Sequence, residues 1–142
     1  MKYLKLFEDY TKNFKTGFVT MEEFIEEHGE TPNFLDKTDY WEMSEIKYLF
    51  NFVGKLKIKY DALFIIPLMS DYDKYTHVIL EIGDGKDMYV LNIMKSPDYF
   101  TIRFTSKALV YDQYYVCEDV EGIFAFILNF LKEKNVAEKI AI

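Results

Sequence analysis

The sequence is poor in cysteine, proline, glycine and arginine. Its 142 residues include one Cys, three Pro and six Gly, and Arg103 is the only arginine among 17 basic residues. A single cysteine cannot form an internal disulfide, which excludes a disulfide scaffold or zinc ribbon and indicates a reducing compartment. No repeat, linker or low-complexity segment interrupts the chain.

Long hydrophobic runs are also missing. The longest nearly apolar run, Ile123–Leu131, is broken by Asn129. It is far shorter than the roughly 20 residues that a membrane helix needs. The opening residues lack the basic, apolar and small-residue pattern of a secretory signal. We therefore expect a cytoplasmic protein that does not contact membranes.

The sequence contains enough hydrophobic residues to form the core of one folded domain. Hydrophobic residues make up 50% of the chain and aromatic residues 18%. At this length roughly two-thirds of the unfolded surface is buried on folding. We expect a single domain, 1–142, with a phenylalanine-rich core and tyrosines at its edge.

The net charge of −7 is distributed unevenly. Segment 21–45 holds nine acidic residues against Lys37, whereas segment 46–60 holds four lysines and no acid. Such an acidic segment repels phosphate, and arginine is scarce, so we expect no nucleic-acid binding. The segment predicts either a solvated acidic face or a docking surface for a protein with a basic surface. The predicted partner-binding residues are Glu22, Glu23, Glu26, Glu27, Asp36, Asp39 and Glu42.

The first part of the chain has a helical pattern. Apolar residues three and four apart predict an amphipathic helix over Leu4–Phe14. Thr20 followed by Glu23 forms a capping box that begins a short helix. A longer helix is predicted over Asp39–Val53, with Gly54 at its end.

Beyond residue 60 the hydrophobic period changes to two, which is typical of strands. Turn residues separate four predicted strands, which follow a short apolar run at 62–67 and precede a helix at 120–134. The strands are 76–82, 88–94, 99–105 and 109–117. We expect an α+β fold with mainly helical residues 1–57, a four- to five-stranded antiparallel meander over 60–118, and a C-terminal helix packed on the sheet.

The two faces of the predicted sheet differ. Val78, Leu80 and Ile82 belong to an apolar face, whereas a second face mixes polar and apolar side chains. The residues predicted for the second face are His77, Ile79, Glu81, Met88, Val90, Asn92, Met94, Thr101, Arg103, Thr105, Tyr111, Gln113 and Tyr115. The C-terminal helix is apolar around most of its circumference. Either the N-terminal helices or a second copy must cover it, so both a monomer and a homodimer are open.

No set of residues has the spacing of a catalytic or metal site. Glu81 is the acid on the same strand face as His77, and four residues along a strand span about 13 Å. No serine stands in a Gly-x-Ser-x-Gly motif. Acids follow Cys117 and disfavour its thiolate. We expect no catalytic residue, no metal and no cofactor, and lean against an enzyme.

Arg103 is the one residue that suggests a ligand. A single guanidinium in the middle of a strand can bind the carboxylate or phosphate of a small molecule or nucleotide derivative. The alternative is an ion pair with Glu81 or Asp112. The predicted ligand-binding residues are Arg103, His77, Tyr111 and Tyr115.

The opening segment Met1–Tyr10 resembles the start of many small proteins of large tailed bacteriophages, in which Met-Lys-x-x-Lys-x-Phe-Glu-x-Phe/Tyr recurs. Leu6–Glu8 also resembles the Leu-x-Glu cleavage pattern of head maturation in such phages. The resemblance covers ten of 142 residues. It implies either an acidic inhibitor of a host protein, located in the host cytoplasm, or a protein of the virion with residues 1–8 removed.

These observations favour a non-catalytic acidic protein-binding module. The acidic segment and the mixed second face are its predicted contacts. A small-ligand binding protein or enzyme with a pocket near Arg103 is one alternative, and a virion structural or internal protein is the other.

Overall fold

A computed structural model of the chain describes residues 17–28, 38–67, 75–108 and 112–139. Within these ranges it has three helices and one antiparallel sheet, which confirms the α+β prediction. The predicted N-terminal helix over Leu4–Phe14 lies outside the described residues.

The elements follow the predicted order, with helices before the meander and a helix after it. The sheet has six strands in the spatial order β1-β6-β5-β4-β3-β2, rather than four or five. The elements are β1 (Val19–Thr20), α1 (Met21–His28), α2 (Met43–Lys59), β2 (Leu63–Ile65), β3 (His77–Gly83), β4 (Met88–Lys95), β5 (Phe100–Ser106), β6 (Gln113–Cys117) and α3 (Val120–Glu133).

The strand that the sequence did not predict is β1. Val19 pairs with Val116, and Thr20 pairs with Tyr115, so β1 extends the sheet beyond β6. Two residues are too few to show an alternating pattern. The strand exists because its backbone pairs with a distant strand.

Capping boxes begin α1 and α2, at Thr20 as its residue type predicts and at Glu42 although glutamate is not a preferred N-cap residue. The Thr20 backbone N–H donates to Glu23 Oε1 at 3.0 Å, and the Glu23 N–H donates to Thr20 Oγ1 at 3.1 Å. Helix α2 has the same arrangement at Glu42. The prediction that Gly54 ends α2 is wrong. Leu56 is buried in the core, so packing continues the helix beyond the glycine.

Helices α2 and α3 cover one face of the sheet, which we call the core side. Leu80, Leu91 and Ile102 are fully buried there, as the alternation predicted. Helix α3 packs on α2, where Phe124 stacks on Phe52 with the ring centroids 4.0 Å apart. The core side and α2 together bury most of the apolar circumference of α3, and Leu128 remains 42% exposed.

Both long helices run in the same direction along the sheet. The N–H of Asp39, just before α2, donates to the carbonyl of Lys95 at the end of β4, and α3 follows directly after β6. Beyond the other end of α3, the Lys134 ammonium lies over the ring of Tyr89 near the start of β4. The N-termini of α2 and α3 therefore lie at the sheet end that carries the β4–β5 turn.

The β3–β4 turn lies at the opposite end of the sheet. Asp84 Oδ1 accepts from the N–H groups of Lys86 and Asp87, each at 2.9 Å. Gly85 has a φ of 90°, a conformation that glycine adopts without strain. This segment is a hairpin turn, in agreement with the sequence, and no helix follows it as a phosphate-binding loop requires.

Candidate functional site

Carboxylates from the start of α2, the β4–β5 turn and the start of α3 line a cleft at the end of the sheet where α2 and α3 begin. The acidic helix α1 is anchored beside the same turn, through Phe24 and Tyr99. We call this region the acidic end, and its carboxylates belong to Glu22, Glu23, Glu26, Glu27, Asp39, Glu42, Glu45, Asp98, Glu118, Asp119 and Glu121. The fold thus adds acids from the second half of the chain to the acidic segment seen in the sequence.

Helix α1 is held beside the β4–β5 turn by one aromatic anchor. Phe24 is buried against Val116, and its ring meets that of Tyr99 edge to face, with centroids 5.1 Å apart. This anchor turns the opposite side of the helix to solvent, where Glu22 and Glu26 are exposed. Burial of Phe24 therefore sets the position of the α1 carboxylates.

The start of α2 contributes a sheltered ion pair. Glu45 Oε1 accepts from the Glu42 N–H at 2.8 Å and from Lys95 Nζ at 2.7 Å. The side chains of Lys95 and Glu45 are 12% and 22% exposed. The positive charge of Lys95 is thus paired with Glu45 within the fold.

A cleft of about 390 Å³ lies between α2, the β4–β5 turn and the start of α3. Lys95 is the only base among the described residues that line it. Tyr48, Tyr99 and Phe100 supply aromatic surface, and five carboxylates supply negative charge. The lining residues are Glu45, Tyr48, Lys95, Ser96, Pro97, Asp98, Tyr99, Phe100, Glu118, Asp119, Val120 and Glu121.

Burial and neighbouring negative charges shift the pKa of two groups in the cleft, Asp119 and Tyr99. Asp119 caps α3 by accepting from the Gly122 N–H at 2.9 Å. Burial raises the pKa of Asp119, the cap bond opposes that rise, and the charge of Glu121 adds to it. The pKa of Tyr99 is raised by burial and then by Glu118 and Asp98. A cation placed here relieves this repulsion.

Exposed apolar side chains accompany the carboxylates at the acidic end. Tyr40 is 50% exposed, Met43 55% and Tyr48 48%. All three lie just before α2 or in its first two turns. Tyrosine and methionine are enriched in the buried centres of protein interfaces, so the acidic end combines apolar anchors with a charged rim.

The predicted partner-binding residues are found at this end. Glu22, Glu23, Glu26, Glu27, Asp39 and Glu42 are exposed there. Asp36 lies outside the described residues. Sequence reasoning missed Asp98, Glu118 and Asp119 as members of the same surface, because no local pattern shows that a turn and a helix cap meet α1 and α2.

The predicted ligand-binding residues do not come together. Arg103 donates from Nε to Asp112 Oδ2 at 2.6 Å, the ion pair that was the alternative interpretation. His77 lies two strands away, with Nδ1 2.9 Å from Thr76 Oγ1. Tyr115 lies on the core side, with its ring against Phe126. Tyr111 lies outside the described residues.

The predicted composition of the second face, the side of the sheet opposite α2 and α3, needs one correction. Gln113 pairs with Phe104, and Tyr115 pairs with Ile102, so both belong to the core side. Tyr114 and Val116 take their places on the second face. The apolar and polar residues of β6 alternate too weakly to fix its orientation from sequence.

The described residues offer little for nucleophilic or metal chemistry. Cys117 is fully buried, and burial followed by the charge of Asp119 raises the pKa of its thiol. In the four described ranges, no group of three or more His, Cys, Asp or Glu side chains is arranged to hold a metal ion.

Comparison with known proteins finds no matching family model, no matching curated protein and no matching solved structure. Among the described residues, no helix combines the length and the apolar character that crossing a membrane requires.

Proposed function

We propose that this chain is a non-catalytic protein-binding module whose acidic end docks a basic surface of a protein partner. The observation that carries the proposal is a cleft lined by five carboxylates from three separate parts of the chain, with the acidic helix α1 anchored beside the same β4–β5 turn. The exposed Tyr40, Met43 and Tyr48 supply apolar contact area at the same end.

A structural explanation accounts for part of this charge. Acidic residues stabilise helix N-termini, by about 0.3–1 kcal/mol each. Glu45 and Glu121 fall in the first turns of α2 and α3 and fit that explanation. Glu26 and Glu27 do not, because they lie in the last turn of α1, where the helix dipole disfavours negative charge. Asp98 lies in a turn. The acidic residues that helix stabilisation does not explain support a role in recognition.

Such a surface acts mainly on the rate and selectivity of association. Its field attracts a positively charged partner over a distance of about 8 Å at physiological salt. Rim charges of this kind change the association rate more than the final affinity. The apolar anchors and the cleft then supply the short-range contacts that keep the complex together.

A charge-reversal comparison tests the proposal. The test variant is Glu22→Lys, Glu26→Lys and Glu27→Lys together, with Glu23 kept because it caps α1. The control is Asp61→Lys, Glu133→Lys and Glu138→Lys, which changes the net charge equally at exposed positions of the opposite end. Tagged chains are used to capture proteins from an extract of the native cell, with stoichiometry measured by light scattering.

We expect the wild-type chain and the control to retain the same partner, released at high salt, and the test variant to retain less than about a tenth of it. Equal capture by the test variant and the control would contradict the proposal. A wild-type homodimer without a partner would also contradict it and favour the small-ligand alternative. The resemblance of Met1–Tyr10 to phage proteins implies either a host protein as the partner or a place in the virion.

A further inference from the structure

The first 16 residues, which we call the N-terminal segment, lie outside the described residues but join them at the acidic end. Val19 pairs with Val116 in antiparallel register, so the residues just before β1 lie near those just after β6. Glu118, which follows β6, lines the acidic cleft. The N-terminal segment is therefore tethered beside this cleft.

The point of entry is fixed by packing on both sides of the sheet. On the core side, the ring of Phe18 meets that of Phe126 edge to face, with centroids 5.1 Å apart. On the second face, Phe24 of α1 is buried against Val116. The N-terminal segment thus enters between α1 and α3, and both helices border the acidic end.

The charges of the N-terminal segment and the cleft are opposite. The segment carries four lysines against Glu8 and Asp9. The cleft carries five carboxylates and one base, Lys95, whose ammonium is bonded to Glu45 at 2.7 Å. Opposite charges attract over about 8 Å at physiological salt, so the segment is drawn to the cleft. The four lysines are Lys2, Lys5, Lys12 and Lys15.

The tether strengthens this attraction. A short covalent link gives an effective concentration on the order of 1 mM, at which a weak contact forms. A helix of this length extends about 24 Å, enough to cross the cleft. The apolar stripe predicted over Leu4–Phe14 offers contacts to the exposed Tyr40, Met43 and Tyr48, while lysine side chains reach past it to the carboxylates.

The second face is a poorer surface for a basic segment. Its base, Arg103, is paired with Asp112, and Glu81 is the only acid among the described strand residues of this face. Thr101 Oγ1 and Asn92 Oδ1 have no hydrogen-bond partner there, but both atoms are buried out of reach of a lysine side chain. Charge therefore favours the acidic end.

We propose that residues 1–16 bind the acidic end of the same chain and compete there with the basic surface of the protein partner. This inference rests on the proposed function and adds its regulation. The partner binds only those molecules whose acidic end is open, so its apparent affinity falls with the open fraction. With about one molecule in ten open, the dissociation constant of the partner rises about tenfold.

A spin label on the full chain tests the contact itself. The label is a nitroxide at Lys5→Cys, and Cys117 does not react because it is fully buried. We expect the label to broaden the backbone amide NMR signals of Asp98 and Glu121 at low salt and to leave that of Lys86, in the β3–β4 turn, unchanged. Salt at about 1 M should remove the broadening.

Binding of octa-arginine, followed by the amide shifts of α1 and the cleft, tests the competition. The test variant replaces all four lysines of the N-terminal segment by glutamine. The control makes the same change of net charge at exposed lysines towards the opposite end, Lys55, Lys57, Lys86 and Lys132. We expect the test variant to bind octa-arginine about tenfold more tightly than the control does.

The outcomes separate this inference from the proposed function. If the label broadens no signal at the acidic end, or if the test variant and the control bind octa-arginine equally, the inference is wrong. The proposed function still stands in that case, provided that octa-arginine shifts the amides of the acidic end. If octa-arginine shifts none of these amides in either variant, both proposals fail.

Discussion

Among the described residues, the two ends of the sheet differ in how many charged side chains have a partner of opposite charge. At the end opposite the acidic end, lysines and acids are interspersed and several are matched. Lys59 lies 3.7 Å from Glu138, Lys134 covers the ring of Tyr89, and Asp84 is bonded within its own turn. At the acidic end, the only ion pair among the described residues is Lys95–Glu45. Within the described ranges, the first end pairs several of its charges, whereas the acidic end carries an excess of carboxylates over bases.

Helix dipoles explain part of the distribution of acids and lysines between the two ends of the sheet. Because α2 and α3 run in the same direction, acids at their N-termini and lysines at their C-termini are both favourable. Lys57, Lys59 and Lys132 lie in the last turns and fit this rule. Glu26, Glu27 and Asp98 fall outside it. Helix stabilisation therefore leaves these three carboxylates of the acidic end unexplained.

The largest effect is expected from breaking the packing that aligns the two helix N-termini. Phe124 is buried and stacks on Phe52. Phe124→Ala should reduce the free energy of unfolding by about 3–5 kcal/mol, measured in urea, because it leaves a cavity between α2 and α3. Leu128→Ala on the same helix, where the side chain is 42% exposed, should cost less than about 1 kcal/mol. Similar losses for both variants would disprove this packing.

A smaller effect is expected from two substitutions of Asp119, one that removes its capping oxygen and one that removes only its charge. Asp119→Ala removes the acceptor for the Gly122 N–H and should cost about 1 kcal/mol of unfolding free energy. Asp119→Asn keeps an acceptor oxygen and removes repulsion from Glu121, so it should stay close to wild type at neutral pH. Thermal and urea unfolding of the two variants check this. A loss for Asn as large as that for Ala would show that the charge itself stabilises the helix.

The smallest effect is a pH dependence of opposite sign at the two ends. Burial raises the pKa of Asp119 above its ordinary value of 3.8, so its contribution to stability is present below that value and is lost as pH rises through the raised pKa. For Asp84, burial acts to raise the pKa, but hydrogen bonds from Asp87, Lys86 and Tyr89 outweigh it and the net pKa is lowered. Its contribution is present above 3.8 and is lost as pH falls through the lowered pKa.

Unfolding free energies from about pH 2.5 to about pH 6 test these signs. Asp84→Asn should remove part of the loss on acidification, and Asp119→Asn should remove part of the loss as pH rises above 3.8. The same direction of change in both variants would contradict the contrast between the two ends.

Much of the fold could be predicted because its signals are local. The alternation of β3, β4 and β5, the Asp84-Gly85 turn and the Thr20–Glu23 capping box each depend on a few adjacent residues. The extension of α2 beyond Gly54 could not be predicted, because burial of Leu56 decides it. The prediction of which β6 side chains face the core side was also wrong, so Tyr115 was assigned to the wrong face.

The candidate site was predicted only in its first half. The charge count of segment 21–45 indicated an acidic surface directly. Asp98 and Glu118 join that surface through the β4–β5 turn and the end of β6, which are distant in sequence. The absence of hydrogen-bond partners for Asn92 Oδ1 and Thr101 Oγ1 could not be predicted either. It depends on which groups surround these oxygens in three dimensions, and a single polar residue in a strand carries no sequence signal for that.

The most direct test of the account is the association rate of the captured partner, measured at about 0.02 M and about 0.2 M salt. The account predicts that the wild-type rate falls at least about tenfold with salt and that Glu22→Lys/Glu26→Lys/Glu27→Lys associates slowly at both. The control, Asp61→Lys/Glu133→Lys/Glu138→Lys, should follow the wild type. Equal rates and equal salt dependence for the two variants would show that net charge, rather than the acidic end, attracts the partner.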